Sequence, residues 1–525
     1  MEKSSGRKAK RSRGCTSIFH SFFGPPKEVT TTTPKVTRKP APKKLEIKTR
    51  TVVAGTGSDL KDLRFYLGNE SLRICRQLCR VQDEEKHISI RSHRIGSLPF
   101  NVRQFDEEDA PHTLLLPATI FEDEADEQDQ KMMKIFMDSF ISMLPFGAEK
   151  ISRKSNPAGL VFRLLPSPII PSAARYLGAA FWLWLCAIDD HIEQLNQQEF
   201  EKAIKEIKMV FDYKETSASG SNVVQTSLAL RDIVQQTELT SDIEENEWLW
   251  RRSFLDAIME ILYAFEGERP LLDQFQKEEK VKLSDWMVLR MVTISARPFM
   301  ILARASLGLS PTLSSLGNTF KQSASKTHKR SDSIETITTS MEWEEDISKL
   351  EVLAQCAMGL ENDILGWEKD HAENNILNSV EILFQNYQHR QSGMREMVMI
   401  HNYTVNQMCL LGETVLSKYS GAPEPMSPSL PPPSPARTIF GLDAMKGPLS
   451  PLPMIQNFLL PTPPVSPMDA EHSRGNILQM IKSKFHGTDQ MRSDLLTKEG
   501  KYVMILFGFV QGMAVWTSKA KRYAV

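Results

Sequence analysis

Two acidic stretches carry residue types and spacings that can do chemistry. The first is Asp189-Asp190-His191-Ile192-Glu193, which follows without a break on the apolar run from Leu177 to Ile188. Asp189 and Glu193 stand at i and i+4 and share a helix face, with Asp190 beside it. Three carboxylates at the rim of an apolar surface repel one another and resist desolvation unless cations neutralise them, and oxygen ligands of this kind suit Mg²⁺. The second stretch is Glu361-Asn362-Asp363-Ile364-Leu365-Gly366-Trp367-Glu368-Lys369-Asp370. On a helix Asn362, Gly366 and Asp370 form one longitudinal stripe, where an amide oxygen and a carboxylate can hold a second cation. Lys369 adjoins the last of them. Taken alone, this second stretch reads more often as an exposed charged helix end.

Helices must position these groups. Pro166, Pro168 and Pro171 break the chain before the Asp-rich helix, which starts around Ser172. Upstream, Met132, Met133, Ile135, Phe136, Phe140, Ile141 and Leu144 recur at helical spacing and are closed by Pro145 and Gly147. Amphipathic segments follow at Phe200 to Phe211, Val223 to Gln236, Glu247 to Phe265 and Leu283 to Leu307, then at Ile477 to Phe485 and Tyr502 to Trp516. Alternating Val, Ile and Thr is almost absent, so the spacing predicts an all-α fold with no sheet of consequence. Residues 1–111 read as an N-terminal extension that is largely disordered, with helical spacing from Leu60 to Arg80, and a compact domain is expected over 112–525. Two stretches, 310–340 rich in Ser, Thr and Lys and 421–467 rich in Pro and Ser, are expected as flexible insertions. Pro431-Pro432-Pro433-Ser434-Pro435 is either a polyproline ligand or a plain loop.

The chain has 525 residues, 41% of them hydrophobic and 25% charged, with a formal net charge of −1. That balance provides no bulk field to draw nucleic acid. The average hides a basic first segment, with fourteen Lys and Arg against three acids in residues 1–57. It is either a targeting address or a solvated arm. The longest apolar run is too short to span a membrane, so no transmembrane segment is expected. Six scattered cysteines and the lack of a secretory leader point to a reducing, cytoplasmic location. Cys75 and Cys79 have no partner pair at zinc spacing and read as ordinary helix residues.

The order of Asp189-Asp190-His191-Ile192-Glu193, then Asn362 to Asp370, then Arg522-Tyr523 resembles the class I terpene synthases of fungi and bacteria. That family carries an Asp-rich DDxxD/E motif and an Asn-Ser-Glu triad of the form NDxxSxxxE/D, often with a basic residue before the last acid. Leu289-Arg290-Met291-Val292-Thr293-Ile294-Ser295-Ala296-Arg297-Pro298 is similar to its RxxTIGxxP segment. The resemblance covers residues 112–525 and implies a helical bundle, built as a single domain around a central active-site cavity. It implies Asp189, Asp190, Glu193, Asn362, Gly366 and Asp370 as the metal set for three Mg²⁺ ions. Arg290, Lys369, Arg522 and Tyr523 are then the groups facing diphosphate, with Thr293 and Ile294 at the linker and effector positions of the helix break.

Two departures stand out. Gly366 occupies the position of the family's Ser or Thr, so that either a water replaces the hydroxyl ligand or the second metal site is weakened. Ser295 replaces the usual Gly. Trp182 and Trp516 are expected as aromatic walls that stabilise a carbocation, while Cys186 and Leu185 stand where the family commonly has aromatics. The activity so implied is Mg²⁺-dependent cyclisation of an acyclic prenyl diphosphate by a monomer or homodimer. Farnesyl diphosphate is the substrate expected by analogy with single-domain members, and a sesquiterpene hydrocarbon or alcohol the product. Two other readings stay open: a prenyl diphosphate synthase of the same fold, which would carry a second DDxxD, and a non-catalytic helical scaffold binding partners through its Pro-rich loop.

Overall fold

The computed structural model describes residues 69–78, 95–100, 112–119, 126–145, 147–167, 169–214, 220–239, 244–310, 333–372, 377–387, 390–419 and 496–519. All of these belong to one compact unit. Fourteen helices and a two-stranded hairpin make up the described residues. The all-α expectation holds for the bundle, and the hairpin is its one addition.

The first helices show why the chain starts and stops where it does. Helix α1 spans Asn69–Leu78 and α2 spans Glu127–Met143. Asp126 caps α2 by accepting from the Asp129 N–H, and Met133, Phe136, Met137 and Phe140 form its buried stripe. The short helices α3 (Ala148–Ser155) and α4 (Pro157–Leu164) meet at Asn156, whose side chain caps the second. Helix α5, Ser172–Ile192, begins right after Pro171, and its middle is buried on every side. A helix apolar all round belongs at the centre of a bundle. An Asn196–Glu199 capping box opens α6 (Gln197–Phe211), and Ser221 caps α7 (Asn222–Gln236).

The longer helices frame the acidic stretches. Helix α8, Glu244–Gln276, runs through Pro270, so it extends well past the expected Phe265. Helices α9 (Leu283–Thr293) and α10 (Ala296–Ser306) are separated by a break at which the axis bends by 46°. Helix α11, Ser333–Ala372, has 40 residues and spans about 60 Å at 1.5 Å per residue. The insertion expected to run to residue 340 is therefore helical from 333 onward, while 311–332, the 421–467 insertion and the Ile477 to Phe485 segment lie outside the described residues. Helices α12 (Ser379–Tyr387), α13 (Arg390–Tyr419) and α14 (Lys498–Lys519) complete the set, with α11 packed against α9, α13 and α14.

A buried ionic knot ties α10, α11 and α14 together. Arg304 on α10 pairs with Glu351 at 2.8 Å and Glu344 at 3.1 Å, both on α11, and Tyr502 on α14 donates to Glu351. Charges this deep persist only when each finds a partner.

Two pieces from the expected N-terminal extension pack on the bundle. Ile74, Cys75 and Leu78 of α1 are buried, and Cys75 Sγ lies 3.7 Å from Cys356 Sγ of α11. Strands β1 (Ile95–Phe100) and β2 (His112–Pro117) pair antiparallel, with Ile95 opposite Pro117 and Phe100 opposite His112. An isolated two-stranded hairpin is marginal in water. This one is held by Asn402 of α13, which accepts from the Leu115 N–H at 2.8 Å and donates to the Thr113 carbonyl at 2.9 Å. No single helix among the described residues is long and apolar enough to cross a membrane. The bent α9–α10 pair passes that test jointly by length and composition, yet nearly all of it is buried in the bundle.

Candidate active site

The end of α5 is where the apolar helix meets charge. Asp189 and Asp190 are half-buried in its last turn, and Glu193 is exposed at the C-cap. The carbonyls at this end carry partial negative charge and need donors. Arg269 of α8 provides them, donating to Ile192 O at 3.1 Å and Leu195 O at 3.2 Å while its guanidinium lies 4.0 Å over the Phe200 ring. Beside Arg269, Glu268 turns inward. Its Oε1 is buried without a hydrogen-bond partner, although the residue as a whole is half-buried.

Glu268 senses both acidic stretches. Burial pushes its carboxyl up to about 8; Arg290 and the Thr293 hydroxyl pull it down, and Asp189 and Asp363 push it further up. Asp189 on α5, Arg290 and Thr293 on α9 and Asp363 on α11 thus lie within electrostatic reach of this carboxyl.

The helix break presents Arg290. Its Nε lies 2.7 Å from Asp363 Oδ1, its Nη2 donates to Asn362 Oδ1, and its guanidinium stands 5.8 Å from the Trp286 ring. Gly359, one turn earlier on α11, lets the two helices close up, since a Cβ there would come within 3.1 Å of Arg290 Cγ. After Thr293 and Ile294 the chain turns through Ser295, whose φ of 63° is left-handed and strained for a residue with a Cβ. Its hydroxyl compensates by donating to the Thr293 carbonyl at 2.9 Å. That turn explains why glycine would suit the position better.

On α11 the second stretch is held from several sides. Asp363 accepts from Trp286 Nε1 at 2.9 Å, from the Ser379 N–H at 3.1 Å and from the Ser379 hydroxyl. Asn378 donates to the Asp363 carbonyl at 2.9 Å and to Asp370 Oδ2 at 3.0 Å. Lys369 Nζ lies 3.5 Å from Asp370 Oδ1. Burial raises the Asp370 carboxyl above the usual range, offset by Lys369 and Asn378. On the far face Glu381 of α12 accepts from Trp367 Nε1 at 2.9 Å, locking the helix rotation.

Trp182 lies two turns before Asp189 on the same face. It packs edge-on against Trp516 of α14 at 5.4 Å between centroids and lies 6.3 Å from Phe299 of α10. The two tryptophans expected as aromatic walls form one aromatic pair, and the indole N–H of Trp182 is buried without a partner. Arg522 and Tyr523 lie outside the described residues.

The structure brings Arg290 to Asn362 and Lys369 to Asp370, and Asp189 and Arg290 both act on the Glu268 carboxyl. Asp190 and Glu193 stay at the outer end of α5. Among the described residues no three His, Cys, Asp or Glu side chains form a ready-made metal cage. The chemistry of the donor set still fits hard cations shared with an anionic ligand: carboxylate and amide oxygens on α5 and α11, with the cationic Arg290 and Lys369 beside those of α11. Sequence reasoning missed Glu268, Trp286, Asn378 and Ser379, and assigned no partner to Asp363. None belongs to a spaced motif, and only the acid–base pair Glu268-Arg269 ahead of Pro270 offered a local signal.

Residues 180–407 match the family model for terpene synthase family 2, C-terminal metal binding. This matched region is that of a class I terpene synthase. The match runs from the middle of α5 to α13 and so contains both acidic stretches and the helix break. No curated protein matches the sequence significantly. Among solved structures, linalool/nerolidol synthase from Streptomyces clavuligerus is similar at 11% identity and a TM-score of 0.44, over 76% of this chain and 99% of its own. Hedycaryol synthase, solved in complex with nerolidol, is similar at 13% identity and a TM-score of 0.42, over 79% and 100%. At such scores this likeness says nothing about substrate. A terpene synthase is a lyase, and the matched region is its metal-binding part.

Proposed function

We propose that this terpene synthase ionises farnesyl diphosphate with Mg²⁺ and cyclises the cation to a sesquiterpene hydrocarbon or alcohol, releasing diphosphate. The observation that supports the reading is that Arg290, at the helix break, pairs with Asp363 and bonds Asn362, while Glu268 is influenced by both Asp189 and Asp363.

Asp189, Asp190 and Glu193 would hold Mg²⁺ on one side, and Asn362, Asp370 and a water beside Gly366 on the other. Mg²⁺, when bound, neutralises the diphosphate and makes it a better leaving group. The chain's own residues do the rest. Arg290, with Lys369, Arg522 and Tyr523, binds diphosphate oxygens through charge-assisted hydrogen bonds. Asn362 now accepts from Arg290, and Asp370 is engaged by Lys369 and Asn378, so ligand binding exchanges these internal bonds for ligand contacts. Thr293 and Ile294, at the break of α9, face the reacting end. The Trp182–Trp516 pair and Phe299 offer ring faces and edges that exclude water and stabilise positive charge.

The test is incubation of the purified protein and Mg²⁺ with the C10, C15 and C20 prenyl diphosphates, followed by gas chromatography of the extract. A cyclic C15 product, lost in Asp189→Asn and in Asn362→Ala with the fold retained, is the expected result. No terpene from any substrate, or full activity in both variants, refutes the proposal.

A further inference from the structure

Glu361 immediately precedes Asn362 on α11. One residue is about 100° of helix rotation, so Glu361 faces α13 while Asn362 and Asp363 face α9. Glu361 and His401 are both wholly buried, and Glu361 Oε1 lies 3.1 Å from His401 Nε2. His401 Nδ1 in turn lies 3.1 Å from Asn402 Oδ1.

Backbone groups decide the protons in this chain. The orientation of the Asn402 amide is set because it accepts from the Leu115 N–H and donates to the Thr113 carbonyl. Its oxygen can only accept, so His401 carries its proton on Nδ1 and presents a bare Nε2. One proton then lies between Glu361 and His401 Nε2 and joins the two buried side chains. Burial acts in the same direction on both groups, raising the Glu361 carboxyl and lowering His401 to about 4.

We propose that Glu361, His401 and Asn402 form a positioning chain that fixes the rotation of α11, and with it Asn362, Gly366 and Asp370, against α13 and the β-hairpin. It rests on the reading above that these three positions face Mg²⁺. The leverage is geometric: side-chain oxygens stand about 5–6 Å from a helix axis, so a rotation of roughly 10° displaces them by ~1 Å. Displacements of that size matter for ligands shared between two helices. Trp367–Glu381 and Arg290–Asp363 restrain α11 from α12 and α9, and Glu361–His401 closes the third side. Through Asn402 the hairpin, outside the matched family region, becomes part of the site's support.

The experiment measures binding of inorganic diphosphate by calorimetry at graded Mg²⁺, alongside turnover and melting temperature. Glu361→Leu is expected to raise the Mg²⁺ needed for half-saturation by about ten-fold or more, the range seen when groups supporting metal ligands are removed. Glu361→Gln, which keeps a donor toward His401, restores it to within about three-fold. Tyr502→Phe serves as control, because it loosens the Glu351 knot on the same helix away from the acidic stretch; it lowers stability and leaves the Mg²⁺ requirement alone. A folded Glu361→Leu protein with an unchanged Mg²⁺ requirement overturns the proposal. Should that variant not fold, Asn402→Ala leaves the Glu361–His401 contact intact and is read the same way: a raised requirement supports the chain, an unchanged one refutes it. Wild-type protein that binds Mg²⁺ and diphosphate but releases no terpene overturns the functional reading alone, and failure to bind either ligand overturns both.

Discussion

Replacing Glu268 by Gln should make the metal-free protein more stable, by an amount that grows with pH. Its carboxyl is raised from 4.5 to about 8, first by burial and then by Asp189 and Asp363. In the unfolded chain the same group ionises near its ordinary value. Between these two values the unfolded state has lost the proton that the native state still holds, so stability falls as pH rises through the window and levels off above about 8. At 1.36 kcal/mol per unit, the penalty is about 3 kcal/mol at pH 7 and about 5 kcal/mol once the window is crossed. Gln ionises in neither state, so the variant should escape the penalty. The assay is urea unfolding with chelator present, at several pH values between 5 and 8.5, comparing variant with wild type. The difference in unfolding free energy should widen by about 1.4 kcal/mol per unit through the window. A difference that stays constant with pH would falsify the burial of Glu268 between the two acidic stretches, however large that constant.

Two further outcomes follow from the same geometry. Gly366→Ser returns a hydroxyl to the stripe of Asn362 and Asp370 and replaces a helical glycine, which should add about 0.5 kcal/mol of stability and lower the Mg²⁺ concentration for half-maximal turnover. An unchanged or higher Mg²⁺ requirement means that position 366 does not face the ion. Asp363→Asn leaves the Arg290 guanidinium without its carboxylate while Trp286 and Ser379 lose their charged acceptor, and should cost about 3 kcal/mol in denaturant unfolding together with most of the activity. A loss below about 1 kcal/mol would show that Arg290 finds another counter-ion.

What the sequence determined by itself was local and periodic. Pro171 and the unbroken run to Ile188 set the start and the central burial of α5, and the spacing of Asn362, Gly366 and Asp370 set one stripe of α11. The turn after Thr293 was marked by Ser295 and Pro298, and the order of motifs was enough to imply a terpene synthase. Helix period, caps and breakers act over a few residues, which is why they can be read from a string.

Partnership could not be read that way. Asp363 stood in the open within its motif, yet its cation, Arg290, comes from another helix, and its hydroxyl donor, Ser379, from the start of α12. Glu268 looked like one surface charge among many, and only the convergence of α5, α8, α9 and α11 made it a buried carboxyl that holds its proton to about pH 8. Residues 95–100 contain Gly96 and Pro99 and show no alternation, so their strand exists because β2 and Asn402 hold it. Burial and the distance to an opposite charge are properties of packed helices: they set the ionisation of Glu268, His401 and Glu361, and no local pattern encodes them.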